Sequence, residues 1–98
     1  METNARRPAA TLASVRTIDD ARRRLRSMQF VPETFAGHLA ALCYFADYLS
    51  GRRHLTFEQF TELSQDERDH AVRAYGDFYG APFLSTRLRT VLRHCGIP

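Results

Sequence analysis

The chain contains no lysine and no tryptophan, and only two cysteines and four prolines in 98 residues. Without lysine it can form no lysine Schiff base and can build no P-loop that relies on a lysine, so two broad catalytic strategies are excluded. All fourteen basic residues are arginine. Phosphate accepts either base, so the missing lysine reads as GC-rich coding rather than as a binding requirement.

Apolar runs are short. A membrane-spanning helix needs about 20 consecutive apolar residues. The longest candidate, Phe35 to Leu49, is interrupted by His38 and Asp47. The first thirty residues contain no continuous apolar stretch of the secretory kind. The expectation is a cytoplasmic protein with no membrane contact. Cys43 and Cys95 form no C-x-x-C pair and no disulfide framework. On apolar helix faces they are expected to stay reduced and pack as small hydrophobes.

Catalytic and metal-binding patterns are absent too. His38, His54, His70 and His94 are scattered, with no H-x-x-x-H or H-E-x-x-H spacing. Asp66, Asp69 and His70 are close in sequence, as in any solvated acidic helix start. Ser64 and Ser85 lack a nucleophile motif. The sequence therefore nominates no catalytic residue, no metal ligand and no cofactor, and no enzymatic activity is expected.

What is present is enough for a folded domain. Hydrophobic residues make up 44% of the chain, an ordinary globular share. A chain of this length fits one domain of the usual ~50–200 residues. The net charge is +3 and unevenly spread. Residues 1–30 carry seven arginines against three acids, residues 31–80 four against eight, and residues 81–98 three against none. Two basic ends flank an acidic middle, a pattern compatible with an acidic or nucleic-acid partner.

Residues 1–16, rich in Ala, Thr, Ser and Arg, show no helical period and are expected to form a flexible basic tail. Their Arg-rich, acid-poor composition also fits a targeting segment, the lesser reading. Residues 17–98 are expected to fold as a single all-α domain, a compact bundle of about five short helices. Thr17 with Asp20, Thr56 with Gln59 and Ser64 with Glu67 have capping-box spacing and mark three helix starts. In the first helix Ile18, Ala21, Leu25 and Met28 share one stripe, and Phe30-Val31-Pro32 ends it. Pro32 opens the second helix and Gly51 is placed to stop it. Its apolar face is read as Phe35, Leu39, Leu42, Cys43, Ala46 and Leu49, with Ala41, Tyr44, Phe45 and Tyr48 opposite; of these Phe45 is expected to be buried by other helices, while core and interface are equal readings for Tyr44 and Tyr48. A helix apolar nearly all round belongs in a core or in an interface. The fourth helix is expected to run to about Tyr75, followed by an aromatic turn bracketed by Gly76 and Gly80. The last runs from Pro82 to Gly96 on a stripe of Leu84, Leu88, Val91, Leu92 and Cys95.

Two functional surfaces follow. Tyr44, Tyr48, Phe78 and Tyr79 could anchor a protein partner or a second copy of the chain, since tyrosine offers much apolar area at low entropic cost. Arg22, Arg23 and Arg26 on the first helix, with Arg89 and Arg93 on the last, could lie along phosphates. A helix-turn-helix over residues 64–95 is disfavoured, because the link from Tyr75 to Pro82 exceeds the 3–4 residues of that motif. The leading expectation is a small non-catalytic helical binding or regulatory protein. The alternative is a nucleic-acid-binding regulator.

Overall fold

Side-chain capping sets three of the helix starts. The Thr17 hydroxyl accepts from the Asp20 N–H at 3.0 Å, and the Asp20 carboxylate accepts from the Thr17 N–H at 3.1 Å. The same reciprocal pair joins Thr56 to Gln59 at 3.0 and 2.9 Å, and Ser64 to Glu67 at 3.2 Å both ways. Each cap satisfies backbone donors that have no partner within their helix, a contribution of about 1 kcal/mol. Two further helices begin at Pro32 and Pro82, where a fixed φ and a missing N–H suit the first helical turn.

The computed structural model describes residues 15–98. In chain order it holds α1 (Ile18–Ser27), α2 (Pro32–Tyr48), a π-helical turn (Leu49–Arg53), α3 (Phe57–Thr61), α4 (Gln65–Phe78) and α5 (Pro82–His94). Among the described residues there is no strand. Among those residues no helix is long and apolar enough to cross a membrane. The helical bundle expected from the periodicity is the fold observed.

The basic tail expected over residues 1–16 lies, as far as residue 14, outside the described residues. Its last two positions belong to the folded unit. Val15 is buried, and Arg16 pairs with Glu62 and with Glu58. An apolar side chain just ahead of the α1 cap has core to cover, and that draws the boundary back.

The core gathers residues from every helix. Leu25, Leu42, Phe45, Leu49, Phe60, Leu88, Val91 and Cys95 are fully enclosed. The Phe45 ring meets Phe60 edge-on at 4.9 Å and Tyr75 at 5.2 Å. Of the expected face of α2, Phe35, Leu42, Ala46 and Leu49 pack on the core, and this pairing draws in Phe45 and Tyr48 as well. Leu42, Phe45, Tyr48 and Leu49 are buried, while Cys43 is exposed. Hydrophobicity alone cannot orient a helix that is apolar all round. The largest side chain with aromatic partners decides it.

Two helix ends also differ from expectation. Gly51 does not stop α2; the chain widens into the π turn and reverses at His54, whose φ is 56°. The Leu55 N–H bonds the Leu49 carbonyl at 3.1 Å, which closes the wide turn and brings Leu55 against the core. Gly76, expected in a turn, lies buried inside α4, which continues to Phe78. The reason is close packing of α4 on α5. A Cβ at position 76 would collide with the Ser85 hydroxyl, and that hydroxyl donates at 2.7 Å to the Val72 carbonyl. Only Tyr79, Gly80 and Ala81 separate α4 from α5. The spacing objection to a helix-turn-helix therefore falls.

Candidate partner-binding surface

The outward arc of α2 has small residues. At about 100° per residue, Glu33, Ala36, Gly37, Ala40, Cys43, Tyr44 and Asp47 fall on one side. All are exposed except Gly37, which is partly covered by Arg87 from α5. A Cβ at position 37 would strike the Arg87 guanidinium, so glycine is what lets that arginine cross onto α2. With so little side-chain volume at residues 37, 40 and 41, a groove of about 320 Å³ opens between α2 and the α4–α5 pair. Gly37, Ala40 and Ala41 form one side; Tyr44, Tyr75, Leu84 and Arg87 complete it.

Aromatic residues continue from the groove toward the end of α4. Tyr75 lies 5.5 Å from Tyr79, which meets Phe78 edge-on at 4.9 Å. Burial raises the Tyr75 phenol above its ordinary pKa, and the nearby Tyr79 and Tyr44 phenols add to the effect. The guanidinium of Arg52 sits 4.7 Å over the Phe78 ring, a cation–π contact at the edge of the patch. Tyr44 is 66% exposed, Tyr79 55% and Phe78 47%.

Tyr48 does not share that exposure. It is 6% exposed and enclosed by Phe45, Tyr75, Phe78 and Tyr79, with ring separations of 5.4 to 6.4 Å. The one-turn extension of α4 past Gly76 covers it. Tyr48 therefore supports Phe78 and Tyr79 from beneath and is withdrawn from the contact set. Phe83, the most exposed of the large hydrophobic residues at 68%, was not anticipated. Its signal was present: it precedes Leu84 and falls outside the α5 apolar stripe. The contribution of Arg87 had no such signal, because it depends on Gly37 of another helix.

The five arginines expected to meet phosphate are in mixed situations. Arg22 pairs with Asp19, and Arg23 bridges Asp19 and Asp20 at 2.5 and 2.6 Å. The Arg22 guanidinium, first through its hydrogen bond, holds the Asp19 carboxyl below its ordinary pKa. Arg26 lies 5.5 Å over the Phe35 ring. Arg89 reaches Asp69 at 2.9 Å, whereas Arg93 is exposed with no ion pair among the described residues.

The histidines are less scattered than the sequence suggests. The rings of His38 and His94 come within 5.5 Å of each other, with Phe30 packed edge-on against both at 4.9 and 5.2 Å. His38 Nδ1 is buried without a hydrogen-bond partner. Desolvation lowers the His38 pKa, with His94 and Arg87 adding to the shift. Among the described residues, no three His, Cys, Asp or Glu side chains gather as a metal-binding group. Both cysteines are free, and burial pushes the Cys95 thiol up to about 11.

No protein-family model, curated protein or solved structure matches this chain.

Proposed function

We propose that this chain is a non-catalytic, cytoplasmic protein-binding module whose contact surface is the α2–α5 groove and its aromatic margin. One observation carries the reading: Tyr44 stands largely in solvent on the wall of a preformed apolar groove in a domain this small. Contiguous exposed apolar surface is costly to leave open and marks interaction sites. Tyrosine and phenylalanine at such a site act as rigid anchors. Two free thiols suit a reducing compartment.

The test is retention of proteins from host extract by the immobilised full chain, with and without nuclease. Wild-type protein is expected to retain a defined partner set. Tyr44→Asp is expected to lose it while its melting temperature stays within a few degrees. Equal retention by wild type and Tyr44→Asp would refute the reading.

A second reading, nucleic-acid binding, is favoured by the three-residue turn between α4 and α5. The exposed face of α5 carries Thr86, Arg87, Thr90 and Arg93 and no acid. Against it, α4 brings Asp66, Glu67, Asp69 and Asp77. This reading expects nuclease-sensitive retention and affinity that falls with salt. Arg93→Ala would then flatten the salt slope by about one unit.

A further inference from the structure

The charges along the outward arc of α2 have an order that matches the same arc turned end for end. Among the described residues Glu33, Asp47, Arg53 and Arg87 take part in no ion pair, although all four are exposed. Arg87 lies over Gly37, whereas Arg53, past the end of α2, lines a different hollow with Asp66, Glu67 and His70. Going along the face, one meets an acid at 33, a base over 37, small residues at 36 and 40, the Tyr44 ring and an acid at 47.

We propose that the occupant of this face is a second copy of the same chain, packed antiparallel across α2 about a two-fold axis level with Leu42. The proposal rests on the reading of the face as a protein-binding surface and names its partner. Such an axis sets Tyr44 of each copy opposite Ala40 of the other, a large side chain against a small one. It brings Asp47 level with Gly37 of the other copy, where Arg87 crosses. The unpaired Asp47 of each copy thereby meets the unpaired Arg87 of the other, twice over, as an isologous contact requires.

Register is set by charge as well. Moving the axis half a turn, to the level of Ala40, would put Glu33 opposite Asp47 of the second copy. Like charges opposed across an interface are strongly disfavoured. Alanine at 36 and 40 lets two helices approach toward the close end of the usual 8–10 Å separation. The contact is about one helix long, so it falls among small interfaces and is expected to give a concentration-dependent dimer rather than a permanent one.

Sedimentation equilibrium on the full chain, from micromolar to millimolar concentration, tests this. Wild type is expected to approach twice the mass of one chain at the upper end. Asp47→Arg opposes two arginines at each end of the contact, and Arg87→Asp opposes two aspartates. Each alone is expected to weaken association by about tenfold or more. An equimolar mixture of the two variants sets opposite charges across both contacts and is expected to restore the dimer. Thermal melts confirm that both variants fold, since both residues are exposed. A wild type that stays monomeric throughout overturns the proposal, as does self-association that the single reversals leave intact or that mixing fails to restore. If wild type is monomeric while Tyr44→Asp still abolishes capture of another protein, the second copy fails and the contact surface stands. If both effects are missing, both readings fail.

Discussion

Replacing Gly76 by alanine sets two effects of opposite sign against each other, and the surroundings decide which wins. Removing glycine from a helix interior stabilises by about 1 kcal/mol in open space. Position 76 is not open. The new methyl would overlap the Ser85 hydroxyl and sit 3.3 Å from both Ser85 Cβ and the Ala81 carbonyl oxygen. The hydroxyl can rotate away only by leaving the Val72 carbonyl, its 2.7 Å acceptor. A buried hydroxyl without a partner costs about 1–3 kcal/mol. The remaining squeeze against α5 adds about 1 kcal/mol more. The balance is a net loss of about 2 kcal/mol, or about 10 °C in melting temperature for a domain of this size.

In a Ser85→Ala background the sign changes. The obstructing oxygen is gone, the helix gain remains, and Gly76→Ala becomes neutral or stabilising by up to about 1 kcal/mol. The two substitutions are therefore coupled by about 2 kcal/mol. Far-ultraviolet circular dichroism melts of the four proteins measure it directly. A cycle additive to within about 0.5 kcal/mol, the behaviour of independent sites, would refute the account of how α4 and α5 meet.

Phe45→Ala removes the ring on which Phe60 and Tyr75 stand and should cost about 3–5 kcal/mol in urea titrations. A loss under about 1 kcal/mol would show that the core is not organised around it. Stability should also fall in mild acid. His38 has a folded pKa below its unfolded value of 6.5. Above that value both states are neutral and pH has no effect through this group. As pH falls below it, the unfolded chain takes up the proton first and stability drops until the folded pKa is reached. His38→Gln should flatten that slope in melts recorded across the range, and an unchanged slope would assign it elsewhere.

Much of the fold was legible because local chemistry and global structure agree. The three capping boxes and the two prolines at helix starts act within four residues, and all five mark the starts observed. The orientation of α2 was legible only in part, with Cys43 misplaced, because its hydrophobicity is nearly uniform and the choice depends on rings supplied by α3 and α4. Gly76 misled for a related reason: glycine in sequence signals a turn as often as a close helix contact, and only Ser85, nine residues on, distinguishes them. The same extension of α4 buries Tyr48 and exposes Phe78 and Tyr79 above it. Of the four aromatic residues nominated for partner contact, three remain on the surface. The Arg87–Gly37 crossing could not be anticipated, since nothing in sequence links residues fifty apart.

Cys43 stands in the outward arc of α2 next to Tyr44, while Cys95 is sealed in the core. One thiol of the native chain is thus open to reagents and the other is shielded. Its alkylation rate is a footprint of whatever covers that helix, read without adding a label or changing a residue. Preparations handled in air would carry a related hazard, because chains linked through that sulfur would mimic an association that reductant should abolish.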